Sequence, residues 1–367
     1  MKKIIFTVTT DLNFDQRMIR ICTTLAKAGY EVLLVGRLLK NSKQLDNQPF
    51  TQKRLYCFFQ KGKLFYVEYN LRLFFYLSIK KFDTVCAIDL DTILPCFLVG
   101  KIRRKNIVYD AHEYFTEVPE VVERPFTKRI WEAVADFCIP RIKYCYTVGE
   151  GLAEIFSKRY KVDFEVIRNI SIAKNQVFPE KPSGKKIILY QGALNVGRGL
   201  EQYIEAMQWI ENAALHLAGD GDIRADLEQL VHDFKVENKV VFLGKLKPDE
   251  LTKITQKAYI GLNLLENKGL SYYYSLANKT FDYIQANVPA LHPDFPEYQA
   301  IMKKYKIGIL LDLDVEKIAE SILFLLNDEK KYLHLQAECK RAKAVFTWEN
   351  EEQKLLDFYR KIVIFNA

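Results

Sequence analysis

Residues 2–37 read KKIIFTVTTDLNFDQRMIRICTTLAKAGYEVLLVGR, and this stretch indicates the fold of the chain. The run KKIIFTVTT is rich in β-branched and apolar residues and predicts a strand. DQRMIRICTTLAKAGY then carries apolar residues at helical spacing as far as Gly29, and EVLLVGR predicts a second strand. Strands that alternate with helices in this way are typical of a parallel sheet with helices on both faces.

The same alternation continues along the chain and is interrupted once. Further strands are predicted in FDTVCAI, KNIVYDA and CYTVG, and later in KKIILYQGA, AALHLAG, KVVFLG, AYIGLNLL and VPAL. Residues 171–184, SIAKNQVFPEKPSG, hold two prolines, a glycine and several polar residues, which is typical of a linker. We therefore expect an α/β protein with two doubly wound, Rossmann-like parallel-sheet domains, residues 1–172 and residues 173–347.

The composition excludes several classes of protein. At 367 residues the chain suits two domains of roughly 150 residues each. It has no run of eighteen apolar residues, so no membrane-spanning helix is predicted. The seven cysteines are scattered and form no CxxC pair, which predicts a reduced, cytoplasmic protein without a disulfide framework or a cysteine-based metal site.

Positive charge is concentrated in the first half of the chain. Residues 1–180 carry 29 Lys and Arg against 20 Asp and Glu, whereas the remainder carries 25 against 26. A basic domain suits nucleic acid, an anionic membrane surface or a phosphorylated substrate. Because no recognisable nucleic-acid module accompanies the charge, we expect no nucleic-acid partner and favour the other two.

Two glycine loops follow predicted strands of the second half. YQGALNVGRGLEQ contains Gly192, Gly197 and Gly199, which let a ligand approach the backbone, and Arg198, which can pair with a phosphate. LAGDGD, residues 217–222, repeats the arrangement one strand later. A pair of such loops at one sheet edge favours a nucleotide site; the alternative is two ordinary turns with a solvated arginine.

Residues 264–291, LLENKGLSYYYSLANKTFDYIQANVPAL, place Asn278, Lys279 and Asp282 around the start of a predicted helix. Lys279 is placed to neutralise phosphate charge, and Asp282, one turn later, can accept hydrogen bonds from two ribose hydroxyls. The alternative is a helix start with Asn278 as the N-cap and its charges in water.

In YDAHEYFTEVPE, Asp110, His112 and Glu113 follow a predicted strand of the basic half. A histidine among carboxylates suits general base chemistry, a metal site or the orientation of a sugar hydroxyl, and the alternative is a solvated histidine. No other histidine stands at ligand spacing, so no metal is predicted. Asp89 and Asp91 form a DxD, which we expect to be a strand-end pair with a solvated outer carboxylate.

Residues 54–82 pack aromatic residues between basic ends. The central part is apolar nearly all round if it is helical, which predicts a buried helix. The alternative is an interfacial patch that contacts anionic lipid through its flanking lysines.

In this order, the motifs resemble the GT-B glycosyltransferases, and among them the retaining enzymes of glycosyltransferase family 4. The resemblance covers essentially the whole chain, and its most specific part is NKTFDYIQANVPAL followed by FPEYQAIMKKYKIGILLD. It implies a nucleotide-sugar donor in a cleft between the domains and a C-terminal helix, residues 348–367, that packs back on the first domain. It also implies that catalysis needs no metal and no cofactor, because the nucleotide-sugar is itself a substrate.

The resemblance assigns the donor to the second domain. It places Asp282 on the ribose, Arg198 with Gly199 on the diphosphate, and Lys279 as a second phosphate contact. The GDG turn matches the family's Gly-x-Gly turn, and VVFLGKL, which contains Gly244, matches the strand and loop bordering the base. The donor-binding set is Gly192, Gly197, Arg198, Gly199, Gly219, Gly221, Gly244, Asn278, Lys279 and Asp282.

The resemblance also assigns residues around the reacting sugar. His112 matches the histidine that the family places near that sugar, and DQR, residues 15–17, matches a step after the first strand. We expect catalytic roles for His112, Arg198 and Lys279. The expected acceptor-side residues are Asp15, Arg17, Asp110 and Glu113.

The chain departs from the family pattern at several positions. Tyr274 stands where the family has the first of two paired glutamates, and the nearest acid, Glu266, lies farther back. Ala193 replaces a basic residue, and Asn287 replaces the glycine of Gly-x-Pro. The loop after the first strand, TVTTD, has no glycine.

The resemblance implies transfer of a sugar from a nucleotide-sugar to a glycan or glycolipid acceptor with retention of configuration. Two alternatives stay open. One is a nucleotide-sugar epimerase, and the other is a catalytically silent subunit that binds nucleotide-sugar or glycan for a partner transferase. We expect the protein in the cytoplasm, with peripheral contact to an anionic membrane because its first domain is basic.

Overall fold

The computed structural model describes residues 2–172 and 184–364. The chain divides into two compact domains: Met1–Asn169 with Glu351–Ala367, and Ile170–Asn350. The sequence placed these boundaries at 172/173 and 347/348. Most of the predicted linker, residues 173–183, lies outside the described residues.

The first domain is built on a seven-stranded parallel sheet. Its strands are β1 (Lys3–Thr7), β2 (Glu31–Leu38), β3 (Thr51–Tyr56), β4 (Thr84–Ile88), β5 (Asn106–Ala111), β6 (Tyr144–Thr147) and β7 (Phe164–Val166). Its helices up to the domain boundary are α1 (Gln16–Lys27), α2 (Gly62–Ile79), α3 (Ile93–Ile102), α4 (Pro119–Val122), α5 (Pro125–Cys138) and α6 (Glu150–Tyr160). The strand order is β3-β2-β1-β4-β5-β6-β7, so the direction of winding reverses between β1 and β4.

The second domain repeats this design with six parallel strands. They are β8 (Lys186–Gln191), β9 (Ala213–Ala218), β10 (Val240–Gly244), β11 (Ile260–Leu262), β12 (Ala290–Pro293) and β13 (Gly308–Leu311). The helices are α7 (Leu200–Ala206), α8 (Arg224–Asp233), α9 (Pro248–Lys257), α10 (Gly269–Tyr273), α11 (Asn278–Gln285), α12 (Pro296–Lys304), α13 (Val315–Asn327) and α14 (Glu329–Lys343). The order β10-β9-β8-β11-β12-β13 reverses between β8 and β11. Both sheets are doubly wound, as predicted.

The last helix, α15 (Trp348–Ile364), packs on the first domain from Glu351 onward. The ring of Phe358 lies 5.0 Å from that of Tyr146, and the ring of Tyr359 lies 5.9 Å from that of Phe6. These four side chains are buried. The C-terminal segment therefore completes the core over β1 and β6.

The helix α2 differs from its prediction. Its residues are apolar nearly all round, which predicted a buried helix, but only one stripe is buried. That stripe consists of Phe65, Tyr69, Leu73 and Leu77. The opposite stripe faces solvent, and Phe75 on it is 66% exposed. The buried-helix prediction is therefore wrong, because composition alone does not reveal which faces have neighbours to cover them. No helix in the described ranges is both long and apolar enough to cross a membrane.

Candidate functional site

The strand reversal between β8 and β11 marks the candidate site of the second domain. In doubly wound sheets, ligands bind beyond the carboxyl ends of the strands at such a reversal. The strand β8 ends at Gln191, and the predicted glycine loop follows directly. The loop ends at Gly199, which has a φ of 71° at the N-cap position of α7. The backbone N–H groups at the start of this helix add to the attraction for an anion.

The two predicted glycine loops pack against each other. Gly192 N donates to Ala218 O at 2.9 Å, and Leu194 N donates to Asp220 O at 3.0 Å. A Cβ atom at Gly219 would lie 1.8 Å from the Gly192 carbonyl oxygen, which no side chain tolerates. The glycines are therefore needed for the backbone crossing itself, as well as for access by a ligand.

A cavity of about 650 Å³ opens beside this crossing. Its lining includes Gly192, Gly219, Asp220, Gly221, Lys245 and Leu251. Its volume lies within the usual range for small-molecule sites, roughly 300–1,000 Å³. Loop backbone, charged side chains and the apolar Leu246 and Leu251 line it, a mixture that suits a planar, hydrogen-bonding group such as a nucleobase. Gly244, which the sequence placed at the base, ends β10 with a φ of 67°, directly before Lys245.

Lys279 is buried beneath the first glycine loop. Its side chain lies in the first turn of α11, and the residue is only 8% exposed. The Nζ atom lies 3.8 Å from the centre of the Tyr190 ring and 3.3 Å from where a Cβ atom on Gly192 would stand. Burial lowers the pKa of Lys279 well below its usual value, and repulsion by Arg198 adds to that effect. The alternative of a solvated lysine is therefore wrong. The N-cap of α11 is Ala277 and not Asn278, which is exposed.

Arg198 contacts the same tyrosine. It forms a hydrogen bond with the Tyr190 phenol, and burial raises the pKa of that phenol to about 12 although Arg198 opposes the shift. The Arg198 Nε atom is buried and has no hydrogen-bond partner among the described residues. A buried donor without a partner is costly, and an anionic ligand would satisfy it. Arg198 and Lys279 thus place two basic side chains on one neutral ring at the edge of the glycine loop.

The carboxylate of Asp282 is braced by two side chains. One oxygen accepts from Ser171 Oγ at 2.7 Å and the other accepts from Gln191 Nε2 at 2.8 Å. Gln191 is itself held by Thr255, whose Oγ1 donates to Gln191 Oε1 at 2.7 Å. These two hydrogen bonds fix the orientation of the carboxylate. Sequence reasoning missed these bracing residues, and for Gln191 the available signal was its position near the end of a predicted strand, directly before Gly192.

Glu266 lies beside the same loop. Its backbone N donates to Gly197 O at 2.9 Å, and its carboxyl carbon is 3.9 Å from where a Cβ atom on Gly197 would stand. Lys268 forms an ion pair with this carboxylate. Tyr274, which occupies the position of the family's first glutamate, is the C-cap residue directly after α10. The structure thus places an acid, Glu266, beside the glycine loop. Its position in the sequence does not match that of the family's first glutamate.

A second cluster lies at the carboxyl edge of the first sheet. Arg17, in the first turn of α1, bridges to Asp110 at the end of β5, with Nη2 3.0 Å from Oδ1. His112 Nε2 lies 2.8 Å from Arg17 Nε and 3.0 Å from Asp110 Oδ2. Arg17 Nη1 also donates to Ile167 O at 3.2 Å. Three of the predicted residues therefore meet, although 93 positions separate Arg17 from Asp110.

The electrostatics of this cluster are balanced internally. Burial would raise the pKa of Asp110, but the neighbouring charges of Arg17 and His112 outweigh burial and lower it. Burial would lower the pKa of His112, but the carboxylates of Asp110 and Asp89 outweigh burial and raise it. The other two predicted acceptor-side residues stand apart from these contacts. Asp15 caps α1 by accepting from Met18 N at 3.1 Å, and Glu113 is exposed.

The DxD motif belongs to the same cluster. Asp89 Oδ1 accepts from His112 N at 2.8 Å, and Oδ2 lies 3.7 Å from His112 Nδ1. Asp91 is buried and accepts a hydrogen bond from Thr9. Burial raises the pKa of Asp89 to about 8 and that of Asp91 to about 6. The pair lies at the end of β4 as predicted, but the prediction of a solvated outer carboxylate is wrong, because Asp91 is buried against Thr9.

Comparison with known proteins identifies the class. Residues 171–342, just under half of the chain and nearly all of the second domain, match the family model Glycosyl transferases group 1. Anabaena HepE, solved in complex with UDP and glucose, superposes with a TM-score of 0.80 at 14% identity, over 98% of this chain and 100% of that one. The fold is that of the two-domain GT-B proteins, and residues 171–342 are similar to the glycosyl transferases group 1 family.

Two curated relatives share parts of the sequence. An uncharacterized glycosyltransferase of Methanocaldococcus jannaschii is 43% identical over 77 residues, which is 20% of each chain. The O-antigen chain mannosyltransferase RfbU of Salmonella typhimurium is 26% identical over 159 residues, 42% of this chain and 45% of RfbU. The chain thus spans less than half the length of either relative.

Proposed function

We propose that the chain is a glycosyltransferase of polysaccharide biosynthesis that moves a sugar from a nucleotide-sugar to a hydroxyl of a glycan or lipid-linked acceptor, with retention of anomeric configuration. The observation that carries the proposal is the convergence of Arg198 and Lys279 on Tyr190 beside a glycine loop. The mannosyltransferase activity named for RfbU and the UDP and glucose bound to HepE support it.

The two cations would act on the leaving group. When the bond between the sugar carbon and the diphosphate oxygen breaks, negative charge grows on the diphosphate. Arg198 and Lys279 stabilise that charge more than they stabilise the intact donor, which is what accelerates the chemical step. The acceptor oxygen forms the new bond to the sugar carbon, and its proton passes to the departing diphosphate. No metal or cofactor enters this scheme.

The rest of the second-domain site would bind the nucleoside. Asp282, oriented by Ser171 and Gln191, accepts hydrogen bonds from the ribose hydroxyls. The cavity beside Gly192 and Gly219 receives the base. We also assign Asn278, which is exposed at the start of α11, to donor binding.

We assign His112 to the transferred sugar, which it positions or polarises. Its imidazole is held between Asp110 and Asp89, so its orientation is fixed before substrate binds. His112→Ala is expected to lower transfer by about a hundredfold, the low end of general acid–base effects. Because His112 has no part in nucleotide binding under this proposal, the affinity for nucleoside diphosphate should not change.

The first test is a thermal-shift screen against uridine, guanosine, thymidine and adenosine diphosphates and their common sugar conjugates. A ligand that binds only the folded state at a thousand times its Kd stabilises that state by about 4 kcal/mol. One nucleotide class is expected to raise the midpoint. If no nucleotide or conjugate does, the second-domain site is not a nucleotide site and the proposal is wrong.

The second test is transfer itself, with the donor that the screen identifies. Arg198→Ala and Lys279→Ala are each expected to lower kcat by about 10²–10³, as removal of a single oxyanion contact does. Lys253→Ala is the matched control, since Lys253 is an exposed lysine of α9. Unchanged turnover in both site variants would refute the assigned roles.

Tyr274, at the position of a family glutamate, favours one alternative: a subunit that binds nucleotide-sugar but transfers nothing. Such a protein would show the thermal shift and yet neither hydrolyse nor transfer the sugar with any of a panel of acceptors. Incubation of the donor alone also tests for an isomerised nucleotide-sugar, the product of an epimerase. Transfer to an acceptor with the anomeric configuration kept supports the glycosyltransferase.

A further inference from the structure

The helix α2 presents an apolar stripe to solvent. The side chains of this stripe are Leu64, Val67, Leu71, Phe75 and Ile79. They follow one another at intervals of three or four residues, so they lie on one face of the helix. Ile79 is 79% exposed, although large apolar side chains of this kind are usually buried. The helix has 18 residues, so the stripe is about 27 Å long at 1.5 Å per residue.

Two aromatic rings from neighbouring segments widen the stripe. Phe58 is exposed and lies 5.4 Å from the Arg72 guanidinium of α2, and Phe126 is exposed and lies 5.2 Å from Lys63 Nζ. We call the stripe and these two rings the α2 face. In the described part of the second domain, by contrast, exposed apolar side chains such as Trp209, Val241 and Phe324 stand on separate elements. Single exposed residues are ordinary, whereas a continuous apolar face marks a binding surface.

Basic residues lie at both ends of the α2 face. Lys61 and Lys63 are exposed at the start of α2, and Lys80 and Lys81 are exposed directly after its last residue. Arg103 lies at the same end, where its Nη1 donates to Leu77 O at 2.9 Å. Long basic side chains can reach lipid phosphates while neighbouring apolar side chains enter the acyl region.

The single acid of α2 does not offset these charges. Glu68 is held by the backbone N atoms of Phe58 and Phe59, at 3.0 and 2.9 Å, and by Arg72 Nε at 2.7 Å. Its carboxylate is therefore satisfied by the protein, and the lysines at the two ends have no acid on α2 to pair with. The excess positive charge of residues 1–180, 29 basic against 20 acidic side chains, points the same way.

We propose that the α2 face is a peripheral binding site for anionic phospholipid membranes, with α2 lying parallel to the bilayer surface. Charge complementarity selects this occupant over a second copy of the chain. Because both ends of the stripe are basic, two copies that met through it would bring lysines together in either relative direction. An anionic bilayer neutralises those lysines, each worth about 1 kcal/mol near such a surface.

This binding site shares no residue with the donor site or with the His112 cluster. The two proposals can therefore fail separately. If both hold, the sugar acceptor is lipid-linked, and this extension rests on the proposed transferase activity.

The test is sedimentation of the full chain with sucrose-loaded vesicles of phosphatidylcholine, with or without 30 mole per cent of phosphatidylglycerol. The wild-type chain is expected to pellet with the anionic vesicles at low salt and to be released as salt screens the charges. A Leu71→Ser, Phe75→Ser, Ile79→Ser variant is expected to lose at least about tenfold in apparent vesicle affinity, since membrane binding scales with buried apolar area. Lys63→Gln, Lys80→Gln, Lys81→Gln should lose at least about tenfold on anionic vesicles only.

Two matched controls accompany these variants. Phe324→Ser with Leu333→Ser removes exposed apolar side chains from α13 and α14, and Lys253→Gln with Lys257→Gln removes exposed charges from α9. Both should bind vesicles like the wild type, and circular dichroism should show all variants folded. The proposal is overturned if the wild-type chain stays in the supernatant, or if the serine variant pellets as well as the wild type does. It is also overturned if the wild-type chain forms a dimer in solution that the serine variant abolishes, because the face then joins two copies.

Nucleotide binding by the same samples separates the two proposals. A serine variant that loses vesicle binding but keeps the nucleotide thermal shift identifies the α2 face as a membrane site independent of the donor. If the wild-type chain binds vesicles but no nucleotide, the membrane proposal stands and the transferase proposal is refuted.

Discussion

Arg17 and Arg198 both lie near the carboxyl edge of a doubly wound sheet, yet their surroundings differ. Arg17 is buried against Asp110 and His112, and its charge is matched by a carboxylate within 3.0 Å. Arg198 shares a neutral tyrosine with Lys279, and the nearby carboxylate of Asp282 is oriented by Ser171 and Gln191. The charges of the first cluster are paired without a ligand, whereas the second places two basic side chains on a neutral ring. We propose that the second is the anion site and that the first orients His112.

The largest expected effect concerns stability. Arg17→Met leaves Asp110 buried without its partner, which costs about 3–5 kcal/mol. Lys279→Met replaces a buried amine whose pKa is lowered by burial, so the unliganded second domain should be as stable as the wild type or more stable. Hydrogen exchange of the backbone amides in β1 measures the stability of the first domain, and exchange in β8 measures that of the second.

Arg224→Met is the control for this comparison, because Arg224 forms an exposed pair with Glu228 at 2.9 Å. Exposed pairs of this kind contribute about 0–1 kcal/mol. Equal destabilisation by Arg17→Met and Lys279→Met would contradict the proposed difference in charge pairing between the two clusters.

A smaller effect is expected at Asp282. Asp282→Asn removes the charged acceptor assigned to the ribose and should weaken nucleoside diphosphate binding about tenfold, or ~1.4 kcal/mol. Inorganic pyrophosphate has no ribose, so its affinity should stay the same. The control is Asp312→Asn, which removes an exposed carboxylate paired with Lys317. If the variant weakened both ligands equally, Asp282 would act on the phosphates and not on the ribose.

The last expected difference is in pH dependence between pH 6 and 9. The pKa of His112 is raised above 6.5 and that of Asp89 is raised to about 8, so both keep a proton that the unfolded chain loses. The stability of the first domain should therefore fall as pH rises through this range. The pKa of Lys279 is lowered well below 10.5, so the unfolded chain holds the extra proton and the second domain should gain stability as pH rises.

The slope is about 1.4 kcal/mol per pH unit for each proton that separates the folded and unfolded states. Urea unfolding followed by hydrogen exchange at several pH values measures it for each domain. Slopes of the same sign in both domains would contradict the charge assignments.

Much of the fold follows from local pattern. The strands β1 and β2 with α1 between them were predicted because each carries its own hydrophobic period and turn residues. The strand β3, TQKRLY, was missed because it is largely polar, and β7 was missed because it has only three residues. The prediction that α2 is buried was wrong for another reason. When a helix is apolar nearly all round, its sequence does not show which side the neighbouring elements cover.

The candidate site was predictable only in part. The sequence indicated Arg198, Lys279 and His112 as candidates, because glycine loops and strand ends mark the edge of a parallel sheet. The shared partner Tyr190 and the bracing residue Ser171, which is 111 positions from Asp282, depend on tertiary contacts that no local pattern records. For the same reason Asp91 was expected in water and is buried.

The central claim is that Arg198 and Lys279 form the anion site, and calorimetric titration with a nucleoside diphosphate tests it most directly. The ligand is the diphosphate that gives the largest thermal shift, and the samples are the wild type, Arg198→Met with Lys279→Met, and Lys253→Met. We predict binding by the wild type and by Lys253→Met, and an affinity at least about a hundredfold lower, ~2.7 kcal/mol, in the double variant. A double variant that binds the nucleotide as tightly as the wild type would contradict the account.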